Sequence, residues 1–213
     1  CSGTDGFVTT WYDQSGNAVN AANATAAGQP KIVSSGSTIT ENSKPTIKWV
    51  GLNDALTGIT SVSISNGLTA IAVNASNSVN TSSADGAILQ YNQNIGNHIA
   101  LGYRNGGYFT RLYKNGVNDL NGYDFASTSL NLVFDYIDYT NVSNEIYVNN
   151  VSGSDVNSGR SSTSFVSSLN IGNRIGSNQS PKAAISEMIF YESDQTSNRS
   201  GIQTNINTHY SIF

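Results

Sequence analysis

The stretch "FVTTWYDQSGN", residues 7–17, decides how the rest of the chain is read. Its first six residues are β-branched or aromatic, the composition of a strand. The run then breaks at Asp13-Gln14-Ser15-Gly16. Asp at the first position and Gly at the fourth is the residue preference of a type I turn, in which the Asp carboxylate accepts backbone N–H groups two residues on. Asp13 is therefore read as a corner rather than as an acid for chemistry. Phe7 and Trp11 stand four residues apart, so one continuous strand would set them on a common face and anchor it in a core.

The same grammar recurs along the chain: short apolar or alternating runs divided by Gly, Asn, Asp and Ser, the signal of an all-β domain. The expected strands are 7–12, 46–50, 68–74, 87–91, 98–103, 108–113, 130–137, 145–149, 167–172 and 184–191. In Leu68-Thr69-Ala70-Ile71-Ala72-Val73 both faces are apolar or small, which suits an inner sandwich strand. Asn105-Gly106-Gly107 reads as a tight hairpin, and Asn115-Gly116 and Asn121-Gly122 read as similar turns. Only the C-terminus has helical spacing. Thr196 or Ser197 is placed to cap a helix that carries Ile202, Ile206 and Tyr210 on one stripe. Gly153 to Ser168 reads as a long surface loop. The expected fold is a two-sheet antiparallel jelly-roll sandwich with a short C-terminal helix, one domain over residues 1–213.

Composition removes several function classes. Charged residues make up 11% of the 213, against about 25% in an average globular protein. Polarity comes mainly from Asn, Ser and Thr, which favour turns and strand faces. With 11 Tyr, 7 Phe and 2 Trp the chain has aromatic mass for a core. Its net charge of −4 and scattered Lys and Arg argue against nucleic acid, which needs a basic patch. No apolar run approaches the length of a membrane span. The single Cys cannot form an internal disulfide.

Several blocks then combine: "TTWYDQSGN", "QPKIV" (29–33), "KP" (44–45), "EIYVNN" (145–150), "LNIGNR" (169–174) and "ISEMIFYESDQTSNRSGIQTNINTHYSIF" (185–213). Together they resemble the concanavalin A-like, laminin-G-like β-sandwich superfamily. They look most similar to the branch that holds the catalytic domain of α-L-arabinofuranosidase B and related modules of phage tail fibres and surface proteins. Such members carry a further segment, with at least one more strand, ahead of the "DQSGN" strand. The resemblance thus implies a domain that lacks an N-terminal segment here.

The same resemblance implies two catalytic carboxylates, and both positions depart from it. The nucleophile Glu belongs in a strand of the type "DYGNAE", and the matching stretch is Gln90-Tyr91-Asn92-Gln93-Asn94. The acid is an Asp after a Gly-Gly pair, and the matching stretch is Ile171-Gly172-Asn173-Arg174. Glycoside hydrolysis needs two carboxylates flanking one bond. Glu187, on the side of Ile185 and Ile189 in a regular strand, reads as a sheet-edge carboxylate. Asp135 and Asp138 fall on opposite faces and read as solvated. No nucleophile elbow is present. A glycoside hydrolase is therefore the least favoured function, and no catalytic residue is assigned.

Two non-catalytic functions remain. Sugars are held by aromatic faces and by amide, hydroxyl and guanidinium groups. Those types cluster at Tyr91, Asn92 and Asn94, at Tyr103, Arg104, Tyr108 and Arg111 around one hairpin, and at Tyr123. A module recognising a surface glycan is the leading expectation. A structural or decoration subunit of a phage particle, packed against other subunits by neutral polar contacts, is the alternative. Either places the protein on a virion or outside the cell. No cofactor is required. Calcium is the one candidate ion, because laminin-G-like sandwiches hold one at a loop rim, and Asp54 and Asp155 are its candidate ligands.

Overall fold

A computed structural model describes residues 3–51, 53–64, 67–76, 86–94, 97–104, 107–114, 117–123, 127–138, 143–153, 165–172 and 182–213. In part of the strands only the backbone is described. The first third is built of short pieces: β1 (Gly6–Phe7), β2 (Thr10–Trp11), β3 (Ala21–Ala22), β4 (Lys31–Ser34), β5 (Ser37–Thr38), β6 (Thr40–Glu41), β7 (Lys44–Pro45) and β8 (Ile47–Lys48). Long strands follow. They are β9 (Leu56–Ile64), β10 (Leu68–Ser76), β11 (Gly86–Asn94), β12 (Asn97–Arg104), β13 (Gly107–Lys114) and β14 (Val117–Tyr123). The chain continues through β15 (Asn131–Asp138), β16 (Ser143–Val148), β17 (Val151–Ser152), β18 (Phe165–Ile171) and β19 (Ala183–Tyr191) to helix α1 (Arg199–Tyr210).

Two antiparallel sheets form the sandwich. The first runs β1-β4-β8-β19-β10-β15-β16-β17, with β5 on β4. The second runs β14-β13-β12-β11-β18-β9-β3-β2. β6 and β7 make a separate hairpin. The expected jelly-roll sandwich with a C-terminal helix is the fold observed. β10 is buried along its whole length, as its doubly apolar sequence requires.

Apolar side chains divide by strand parity into two clusters. Leu68, Ala70, Ala72, Val133, Ile137 and Ile185 join Leu89, Leu101, Leu169 and Ile171 between the sheets, around Trp49. Ile71, Val73, Leu132 and Phe134 face the other way and pack under α1 through Ile206 and Tyr210. Ile202 reaches the same cluster, so the helix buries the stripe its spacing predicts. Its start differs in detail: a 3-10 turn at Thr196–Asn198 leads in, and Asp194, not Thr196 or Ser197, accepts a backbone N–H there, that of Thr196, at 2.7 Å. Ser211 closes the helix in the left-handed conformation at φ 54°.

Five sequence expectations are corrected. Residues 7–12 are not one strand: β1 belongs to the first sheet and β2 to the second. The chain crosses between sheets at Val8 and Thr9, so Trp11 packs toward Trp49 while Phe7 stays 50% exposed beneath the Lys31 ammonium. Asn121-Gly122 is not a turn but part of β14. Asp135 is buried at 1% exposure on the inner face between Val133 and Ile137. Finally, the register slips at β19, where Val73 pairs Glu187 and Asn74 pairs Ile185, leaving Ser186 as a bulge. The extra residue flips strand parity. Ile185 therefore joins the inner cluster, while Ile189 turns to the helix side. Of the expected loop 153–168, residues 154–164 lie outside the described ones, and 165–168 belong to β18.

Candidate functional site

The Asp13 corner holds its loop by its carboxylate. Oδ1 accepts the Ser15 N–H at 2.8 Å, and Oδ2 accepts the Val19 N–H at 3.0 Å and the Ser15 hydroxyl at 2.9 Å. Those donors, the Ser15 amide first, hold the carboxyl below the usual aspartate range. A glycosidase acid has the opposite requirement, a pKa raised toward neutrality. The Asp13 N–H is in turn accepted by Asn20 Oδ1 at 2.9 Å.

This corner forms one wall of a cleft of about 860 Å³. Trp11, Tyr12, Asp13, Gln14 and Val19 stand on one side, and Ser186 to Ser193 of β19 and its continuation on the other. Leu169 and Ile171 form the floor. Asp13, Glu187 and Glu192 line it, with no Lys, Arg or His. Tyr210 closes one end. Burial, with Glu187 beside it, pushes the Tyr210 phenol up to about 12. The Tyr210 hydroxyl points at Ser186 O, 3.5 Å away.

Tyr103 and Tyr108, expected to face a sugar, are core residues. They are 3% and 2% exposed, with ring centroids 4.5 Å apart. Both hydroxyls donate to Asn74 Oδ1, that of Tyr108 at 2.8 Å, and the two oxygens lie 2.8 Å from each other. Asn74 pairs in register with Asn131, whose Oδ1 accepts the Asn149 side-chain N–H at 2.9 Å. Burial pushes both phenols well above their ordinary range. An aromatic ring sealed between sheets has no face to offer a ligand. The two sheets are instead joined by a polar bridge, because a buried phenol must find an acceptor.

Asp54 also has a structural place. It is 4% exposed, and its Oδ2 accepts the N–H groups of Val50 and Gly51 at 2.8 and 2.7 Å. That carboxylate ties the turn at Val50 and Gly51. Asp155 lies outside the described residues. Among the described residues, no three His, Cys, Asp or Glu side chains gather as a metal site.

The remaining candidates are fixed by backbone register, their side chains lying outside the described ones. Tyr91 stands opposite Leu169 and Ile99, in a row that reaches the core. Tyr123 stands opposite Tyr108. Asn94 pairs with Asn97, and Arg104 with Gly107 beside the hairpin. Asn92 belongs to a different row, Ser168-Asn92-His98-Tyr113-Asn118, which crosses five strands of the second sheet. Two residues along, the row Asn170-Gln90-Ala100-Arg111 runs parallel to it. Asn170 is 6% exposed, and its Nδ2 has no hydrogen-bond partner among the described residues. Sequence reasoning missed these rows because a row exists only once five strands are in register.

No family model matches the chain, and no curated protein matches it. Solved structures share the fold. The binding domain of Paraclostridial Mosquitocidal Protein 1 superposes with a TM-score of 0.67 at 12% identity, over 93% of this chain and 49% of that one. The binding domain of botulinum neurotoxin DC in complex with rat synaptotagmin II gives 0.64 at 9%, over 94% and 51%. The CBM40 of the Ruminococcus gnavus IT-sialidase gives 0.51 at 18%, over 64% and 81%. The chain thus spans about half the length of the two toxin domains.

Proposed function

We propose that this domain is a non-catalytic recognition module for a surface glycan, carried on an extracellular or virion structure. The observation that carries this reading is the polar row Ser168-Asn92-His98-Tyr113-Asn118 across the second sheet. Alternate rows of a sheet share a face, and the parallel row adds Asn170, Gln90 and Arg111. The residue types that register sets on this one face of the sheet, Asn, Gln, Ser, His, Tyr and Arg, carry the donors and acceptors that match the hydroxyl pattern of a saccharide. The likeness to toxin binding domains and to a CBM40 supports the same reading, as does the resemblance to the arabinofuranosidase B branch without its two carboxylates. Of the acids that line the cleft, Asp13, Glu187 and Glu192, the first is engaged by its own loop.

A glycan array probed with the folded domain tests this. Binding to a defined glycan class, lost in Asn92→Ala and His98→Ala with unchanged Tm, is the expected result. A folded domain that binds no glycan on the array overturns the reading and leaves subunit packing as the function to pursue.

A further inference from the structure

Leu169 and Ile171, the neighbours of Asn170 in β18, belong to the inner cluster. Strand alternation therefore sets Asn170 on the outer face of the second sheet, the face of the polar rows. Asn170 is 6% exposed, and its Nδ2 is buried with no hydrogen-bond partner among the described residues. A buried amide donor left unmade costs stability, and nearly all such groups in native proteins are paired. The fold gains nothing from that donor, whereas a ligand that brings an acceptor completes it. The backbone beside it is also irregular. Leu169 pairs Ile59 and Ile171 pairs Leu56, so Thr57 and Gly58 of β9 together stand opposite Asn170. Bulges of this kind bend a strand and recur next to active sites. Gly58 adds no side chain to the space there.

We propose that Asn170 anchors the glycan by donating from Nδ2 to the carbonyl oxygen of an acetamido group, which makes N-acetylated hexosamines the ligand class; the inference rests on the glycan reading of this face. The chemistry around Asn170 selects that group. By register its surroundings are Gln90 on β11, Thr57 and Gly58 on β9, and Ser168 and Gly172 along β18, all of them neutral. Arg111 shares the row but stands three strands away, about 14 Å at roughly 4.8 Å per strand. A carboxylate seated on Asn170 would bring a charge to a buried place with no cation beside it among the described residues, which is costly. A hydroxyl brings a proton of its own that needs a further acceptor. The acetamido oxygen is a neutral acceptor with no proton to place. The ring hydroxyls are then left for the neighbouring row of Asn92, His98 and Tyr113.

The test is a glycan array of matched pairs: chains of N-acetylglucosamine, N-acetylgalactosamine or N-acetylmannosamine against the same chains with a hydroxyl in place of acetamido, together with uronate-bearing chains. Wild type is expected to bind an acetamido chain about tenfold or more tightly than its hydroxyl partner. Asn170→Leu, close to Asn in shape, is expected to bring the pair to within about twofold. Its Tm is expected to stay level or rise, because an unpaired buried amide gives way to an apolar group. Asn170→Ala, which adds no bulk, is expected to lose the same preference. A preference for the hydroxyl or the uronate chain, or an acetamido preference that survives both substitutions, would overturn the proposal. So would a Tm lower by more than about 4 °C in both variants, which would make the amide a structural tie. Binding that persists in the Asn170 variants and is lost in Asn92→Ala defeats this inference and keeps the glycan reading, whereas an array with no binding at all defeats both.

Discussion

Replacing Tyr108 by Phe removes one oxygen from the middle of the sandwich and nothing else. In the native protein that oxygen donates to Asn74 Oδ1 at 2.8 Å and lies 2.8 Å from the Tyr103 hydroxyl. After the change Asn74 Oδ1 keeps its bond from Tyr103. The net worth of one internal hydrogen bond is about 1 kcal/mol. For a domain of this size that lowers Tm by about 2–4 °C. Adding Tyr103→Phe has a larger effect than the first change. It strands a buried amide oxygen without its phenol donors, which costs about 1–3 kcal/mol. The double variant is therefore less stable than the sum of the singles, and a double-mutant cycle by urea denaturation measures the difference. Glycan binding of the folded fraction stays unchanged in all three proteins. A Tyr108→Phe protein with native Tm that has lost its ligand would refute the buried-bridge reasoning and return Tyr108 to a binding surface.

Other substitutions report on single features. Gly172 has φ +89°, and a Cβ there would lie 1.7 Å from Trp49 Nε1. Gly172→Ala combines overpacking with a left-handed alanine and should destabilise by about 2–5 kcal/mol in chemical denaturation. Asp13→Asn should lower Tm at neutral pH and leave ligand affinity intact. Because the native Asp13 pKa is depressed, its contribution is present above the unfolded value and fades as pH falls through the folded one. The Tm gap between wild type and Asp13→Asn should therefore close in acid; a gap that is constant with pH would contradict the carboxylate's role. Asp54→Ala removes the acceptor of two backbone N–H groups and should cost about 2–3 kcal/mol, equally with calcium and with chelator. A loss seen only with calcium would make Asp54 an ion ligand.

Much of the fold was legible because it is written in neighbours along the chain. The Asp13 corner needs only Asp, Ser and Gly at fixed offsets, and its bond to the Ser15 amide spans two residues. β10 announces itself by apolar residues on both faces. α1 is visible through Ile202, Ile206 and Tyr210, since a helix repeats within its own turns. The candidate site was less legible. Tyr103 and Tyr108 flank a hairpin in the manner of ligand-facing rings, and only the strand parity of β12 and β13 turns them inward.

The sequence by itself determined many of the strand segments, the Asp13 corner, and the helix that follows β19. Each of those choices is made by torsional preference and by contacts a few residues away. The tertiary structure decided the rest. It split residues 7–11 between two sheets, inserted the Ser186 bulge that sends Ile189 away from Ile185, and aligned five strands into one polar row. A side-chain period of two makes every facing depend on register, and one extra residue reverses it. Register is set by pairing partners distant in the chain, as Asn74 is by Asn131, so it cannot be read from any local stretch.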